Sequence, residues 1–247
     1  MKIEQVYAFL DTLSPFELQE AWDNSGLIVG SMQDEVEQIC LSLELDSEVL
    51  QQAPDKTLFI THHPLIFSAL KRLDFTKYPA NIIKALAKKE CAALAMHTNI
   101  DKTHLNRYVV ERILGLKVAK SSDFVCYFDT DMSFDELCTF VSEKFGIEHL
   151  KVVNGAQNIK RVAICTGSGG DLIGEIEAEC FISGDLKYHH AVAAKENGLG
   201  LIDIGHFESE RYFTGILEEY LKKFPLKVII ADSKNPFEYF HSKNSKN

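Results

Sequence analysis

Long apolar runs are missing from this chain. No stretch approaches the roughly 20 consecutive apolar residues that cross a bilayer, so no membrane-spanning helix is expected. A secretory leader is not expected either, because Met1-Lys-Ile-Glu-Gln puts an acid where such a leader is apolar. Closely spaced cysteine pairs are also lacking. Cys40, Cys91, Cys126, Cys138, Cys165 and Cys180 are scattered, and several fall inside apolar runs. They read as small buried hydrophobes of a reducing, cytoplasmic compartment, which excludes a disulfide framework. There is no Lys/Arg run, and the formal net charge is -10. That balance argues against a binder of nucleic-acid backbones and suits protein partners better.

What the chain does have is hydrophobic residues, 46% of 247, enough for one large domain or two small ones. It also has histidines in telling places. Thr57-Leu-Phe-Ile-Thr-His62-His63-Pro64 is a short β-branched and aromatic run ending in two imidazoles and a proline. The run reads as a buried strand, and Pro64 bars a helix from starting on the histidines. Two imidazoles therefore sit where a strand leaves its sheet, the usual place for ligands in open α/β sheets. A pair of loop histidines, one buried and one solvated, is the competing reading.

Along the chain, residues 3–13 show helical spacing, and Ser14-Pro15-Phe16-Glu17 carries a capping box that restarts a helix. Trp22 and Asp23 read as a packed aromatic beside a turn-forming acid. Residues 40–46 form a strand, 77–90 a helix and 91–96 a strand that exits into His97-Thr-Asn-Ile-Asp101. A helix closed by Gly115 follows. This alternation predicts parallel strands with right-handed crossovers. Residues 116–125 are the expected boundary between a first α/β domain, 1–120, joined by a C-terminal strand within 225–247, and a second, 121–224.

In the second half, Ser133 and Glu136 form a capping box for a helix to Phe145. Thr166-Gly-Ser-Gly-Gly170 precedes a further helix. Such a turn can offer N–H groups to a phosphate, although it fits no full phosphate-loop pattern and tight packing is the plainer reading. Later strands exit at Gly184-Asp185-Leu-Lys187-Tyr188-His189 and at Gly205-His206-Phe-Glu-Ser-Glu210-Arg211. Four strand exits thus carry candidate ligands: His62/His63, His97/Asp101, Asp185/His189 and His206/Glu210. His206 and Glu210, four apart at a helix start, share one face. Imidazoles around a carboxylate that can bridge are the ordinary make-up of a two-ion site, and mixed His/carboxylate ligands suit Zn, Mn, Fe, Co or Ni.

Taken in order, Trp22-Asp-Asn-Ser-Gly-Leu-Ile-Val-Gly30, Thr61-His-His-Pro-Leu-Ile-Phe67, His97–Asp101, Ser183–His189 and Gly205–Arg211 resemble the GTP cyclohydrolase 1 type 2 homologue family, the NIF-three-like proteins, in its short form. The resemblance implies two similar α/β domains with mixed or parallel sheets, facing a cleft that holds two divalent ions. It implies His62, His63, Asp101, His206 and Glu210 as ligands. His63 and Asp101 would hold one ion, His62 and His206 the other, and Glu210 would bridge. His97 and His189 would serve in proton transfer. It implies opening of the guanine ring of GTP with release of formate, and a ring-shaped homohexamer. No basic triphosphate clamp stands out in the sequence; Lys187, Arg211 and the Gly167–Gly170 turn are no more than candidates. The alternative is a metal-binding scaffold or regulator without catalysis.

Overall fold

The computed structural model describes residues 1–240. The polar end Ser242–Asn247, expected to fray, lies outside them. Two sheets organise the chain. The first runs β1 (Gly26–Val29), β4 (Ala92–Ala95), β3 (Thr57–Thr61), β2 (Gln38–Ser42) and β11 (Lys227–Ile230). All its pairings are parallel except the β1 edge. The second runs β5 (Val118–Ser122), β6 (Val125–Ser133), β8 (Asn158–Ile164), β9 (Cys180–Ser183), β10 (Gly200–Asp203) and β7 (Lys151–Val153). There β8, β9 and β10 are parallel, and antiparallel strands flank them. The fold is thus α/β, as the alternation predicts, but antiparallel edge strands make both sheets mixed, as the resemblance allows.

Both sheets are covered on both faces, so their inner strands are continuously apolar rather than alternating. Leu58 and Ile60 of β3 face one core with Ile3, Val6 and Leu10 of the first helix, Ile3–Leu13. Phe59 faces another core with Leu86 of the helix Ala80–Lys88. In the second sheet Val162 and Ile164 face one core, and Ala163 and Phe181 the other.

Two helices tie the halves together. The helix over residues 98–113 begins with Ile100 in the first core and continues with Leu105, Val109 and Val110 in the second. Its turns widen to π type from Asp101 onward, an irregularity that helices often place at functional sites. The helix Phe213–Leu221 puts Phe213 and Leu217 in the first core and Ile216 in the second. The carboxyl ends of the parallel strands of both sheets consequently open on the same space.

Some local expectations change. The restart at Ser14 is only one tight turn, Phe16–Leu18. Ser14 is fully buried, and its hydroxyl accepts from Thr103 Oγ1 at 2.8 Å instead of capping. The helix expected over 77–90 begins only at Ala80, after Pro79. The segment after the glycine-rich turn is a short tight helix, Gly170–Glu175, and not an α-helix with an anion-binding start. The Ser133–Glu136 capping box does form, and its helix ends at Gly146 with φ +65°. No helix of the described residues is long and apolar enough to cross a membrane.

Candidate metal centre

Each strand exit aims a different group into the shared space. His62 and His63 follow β3 and are held by backbone N–H donation to Ser42 O (3.3 Å) and Leu43 O (3.1 Å). His97 follows β4 and opens the 98–113 helix that carries Asp101. His206 and Glu210 lie on the short helix His206–Glu210 after β10. The i, i+4 spacing puts the Glu210 carboxylate 2.9 Å from His206 Nε2.

Three groups result: the imidazoles of His62, His63 and His97 form one, and the other two share Glu210. In one, Glu210 Oε2 lies 3.0 Å from His63 Nε2 and 2.9 Å from His206 Nε2, and the two ring nitrogens are 3.2 Å apart. In the other, His62 Nε2 lies 3.5 Å from both Asp101 Oδ1 and Glu210 Oε1. The five expected ligands therefore come together, but the pairing differs from the one the resemblance implies. His63 groups with His206, and His62 with Asp101. The reason is depth. His62 is wholly buried between β4 and the 98–113 helix, whereas His63 is turned outward toward Glu44 and the exit of β10.

Every imidazole is oriented from behind. His62 Nδ1 donates to the carbonyl of Met96 at 3.0 Å, which leaves a lone pair on Nε2. His63 Nδ1 is held by Glu44, His206 Nδ1 by Asp185 at 2.8 Å and His97 Nδ1 by Asp23 at 2.8 Å. An acceptor behind the ring fixes its tautomer and raises its basicity, the usual support of a metal-binding histidine.

Acceptors consequently face acceptors at the centre. His62 Nε2 and Asp101 Oδ1 are buried without any hydrogen-bond partner, and Glu210 Oε2 is buried with only the His63 and His206 ring nitrogens beside it. Buried polar atoms are seldom left so, because each costs about 1–3 kcal/mol. Two converging orphans beside a shared carboxylate fit a cation between them. The same strain appears in the proton affinities. Burial disfavours a charge on His63, yet hydrogen bonds with Glu210 and Glu44 outweigh it and hold the imidazole up at about 10. Burial likewise opposes charge on His206, and Glu210 and Asp185 raise it to about 9. Burial and then the charge of Glu210 push Asp101 above the usual carboxylate range. Burial opposes ionisation of Glu210 itself, but His62, His206 and His63 hold it well below that range. Protons take the place that cations would fill.

The glycine-rich turn belongs to this centre. A Cβ on Gly167 would sit 2.1 Å from Glu210 Oε1 and 3.6 Å from His206 Nε2. Ser209 locks the turn there, accepting from Gly167 N at 2.9 Å and donating to His206 O at 2.7 Å. The turn thus packs against a candidate ligand. Trp22 and Asp23 depart further from the sequence reading. Trp22 is 58% exposed and stands beside Phe67 and His97. The carboxylate of Asp23 also accepts from Thr98 N (3.1 Å) and Thr98 Oγ1 (2.5 Å). Burial opposes its charge, but the bonds from His97 and Thr98 outweigh it and keep Asp23 strongly acidic.

His189, expected near the metals, joins none of the groups. It is exposed on the helix Tyr188–Glu196, its ring against Tyr188. Its neighbour His190 turns inward instead, and its Nδ1 accepts from Lys187 N at 3.2 Å. Glu44 and Asp23 were not found as site residues by sequence reasoning, since neither lies at a strand exit bearing histidine.

A family model described as DUF34/NIF3, NGG1p interacting factor 3, matches residues 1–236. The chain belongs to the DUF34/NIF3 family. A Campylobacter jejuni relative named a GTP cyclohydrolase 1 type 2 homolog is 50% identical, the match covering 97% of this chain and all of that protein. A Helicobacter pylori protein named GTP cyclohydrolase 1 type 2 is 40% identical, over 96% of this chain and 98% of its own. Among solved structures, a Staphylococcus aureus hypothetical protein aligns with a TM-score of 0.87 at 25% identity, over 97% of this chain and 99% of that one. The DUF34/NIF3 assignment thus rests on nearly the whole length.

Proposed function

We propose that this DUF34/NIF3 protein is a two-cation hydrolase acting on a small molecule with a guanine-type ring, opened with release of formate. The observation that supports this most is the pair of ligand groups sharing Glu210, with the buried acceptors His62 Nε2 and Asp101 Oδ1 lacking partners. His62 and Asp101 would hold one ion, His63 and His206 the other, and Glu210 offers an oxygen to each. Zn, Fe, Mn, Co or Ni suits this donor set. When bound, such ions polarise the substrate and lower the pKa of water towards 7.

The chain's own residues do the rest. Glu44 and Asp185 keep His63 and His206 in position. Asp23 fixes His97 through Nδ1, so Nε2 is the nitrogen left to carry a proton to or from the reacting ring. Trp22 and Phe67 flank His97, each with its ring centre 6.2 Å away, and limit water there. The name of the Helicobacter pylori relative makes GTP the first substrate to test. The same reading has the protein working in the cytoplasm as a ring-shaped homohexamer, which light scattering checks.

The decisive assay incubates metal-loaded protein with GTP and measures formate and the pterin product. Glu210→Ala and His63→Ala should each abolish both. Activity that survives both substitutions overturns the reading. A fully metal-loaded protein inert on every nucleotide would leave a metal-binding scaffold that acts through partners.

A further inference from the structure

Beside His63 and His206 a cavity of about 750 Å³ opens, within the range that takes a drug-sized molecule. One wall is the segment after β11. Asn235 pins that segment, donating through Nδ2 to Glu208 Oε1 at 2.8 Å and accepting at Oδ1 from Phe237 N at 2.9 Å. Glu208 lies midway between His206 and Glu210, so the wall is fastened to the helix that carries two of the metal ligands. The wall presents Phe237 and Tyr239, 82% and 71% exposed and lining the cavity. Two uncovered aromatic faces beside a reactive centre are the make-up of a stacking platform for a flat ring.

The charge of the lining is the second observation. Glu44, Asp185, Asp203, Glu208 and Glu238 line the cavity against two lysines, Lys151 and Lys234. Lys151 is committed to Asp203 at 2.5 Å. Lys234 is 3.7 Å from Asp232. Arg211, the other expected clamp, donates from Nη2 to Phe145 O at 2.8 Å and lies over the Tyr212 ring. Lys187 is exposed at the start of its helix, and the glycine turn is occupied by Glu210. Among the described lining residues carboxylates outnumber lysines, and no surplus positive charge is left for a triphosphate. Carboxylates are good acceptors for ring N–H and amino groups, which a guanine-type edge supplies.

We infer that this cavity selects its substrate by a flat heteroaromatic ring stacked on Phe237 and Tyr239, and gives a phosphate tail no binding of its own. The inference rests on the two-cation reading and narrows its substrate class to nucleosides, free bases or nucleotides whose phosphates stay in solvent. The test is direct binding to the metal-loaded full chain, by calorimetry, with guanosine, GTP and inorganic triphosphate. Metal content is measured again afterwards, because phosphates chelate. Guanosine and GTP should bind within about threefold of each other, and triphosphate should not displace guanosine. The double variant Phe237→Ala/Tyr239→Ala should weaken both nucleoside ligands at least about tenfold. Both side chains are largely exposed, so their removal leaves the cores intact.

Guanosine that fails to bind at millimolar concentration overturns the inference, as does GTP binding more than about tenfold tighter, displacement by triphosphate, or unchanged binding by the double variant. Equal binding without formate release refutes the hydrolase reading and leaves this inference standing. Formate release with binding that depends on phosphate does the reverse.

Discussion

Replacing Gly167 by alanine isolates the geometry of the metal centre from the stability of the fold. Gly167 has φ +69°, and the alanine methyl would lie 2.1 Å from Glu210 Oε1. The turn cannot back away, because its N–H is held by Ser209 and its carbonyl accepts from Gly184 N at 2.8 Å. The carboxylate must therefore retreat from both ligand groups. Displacing a support of a metal ligand costs on the order of 10- to 100-fold in affinity, and loss of at least that size is expected here. The backbone conformation alone costs about 1–2 kcal/mol for any L side chain.

Gly146→Ala supplies the control. Its φ is +65°, and nothing lies within 4 Å of the added Cβ. Both variants should lose about 2–4 °C in Tm per kcal/mol of strain. Only Gly167→Ala should lose metal, read as bound ions per chain after dialysis against a graded chelator. Unchanged metal affinity in Gly167→Ala would show that Glu210 is not a ligand, and equal losses in the two variants would show that strain alone is responsible.

Other expectations follow from the groups behind the imidazoles. Glu44→Gln and Asp185→Asn should each weaken metal binding on the order of 10- to 100-fold with the fold retained, as checked by chelator competition and circular dichroism. Asp23→Asn should lower turnover with metal content unchanged, since it touches His97 and none of the five ligands; equal loss of metal would contradict that role. For pH, His63 and His206 are raised from 6.5 to about 10 and about 9. Groups raised on folding stabilise fully below their unfolded pKa and lose that contribution as pH climbs through the folded values. Metal-stripped protein should therefore lose Tm steadily between pH 7 and about 10, and metal-loaded protein, whose ligands are already deprotonated, should not. Parallel melting curves across that range for the two forms would contradict the claim that protons replace cations.

Much of the site is legible in local chemistry. The run from Thr57 to Pro64 reads as a strand that ends in imidazoles because apolar β-branched residues and proline act over a few positions. His206 and Glu210 read as partners because helix spacing alone brings them together. What escapes is what distant segments decide. Glu44 reaches His63 across 19 residues and Asp23 reaches His97 across 74, and no spacing rule connects them. The glycine-rich turn reads as tight packing, and it is tightly packed, but its sequence does not show that the carboxylate of Glu210 fills the space. Ser14 carries a capping signature, yet burial redirects its hydroxyl to Thr103. His189 is expected near the metals, yet helix phase turns it outward while its neighbour His190 faces inward.

The most direct measurement is metal analysis of the purified protein joined to an anomalous-scattering map of its crystals. The account predicts two ions per chain, one beside His62 and Asp101, the other beside His63 and His206, with Glu210 between them. A metal-replete crystal whose anomalous peaks lie away from Glu210, or which holds a single ion there at full occupancy, would contradict it.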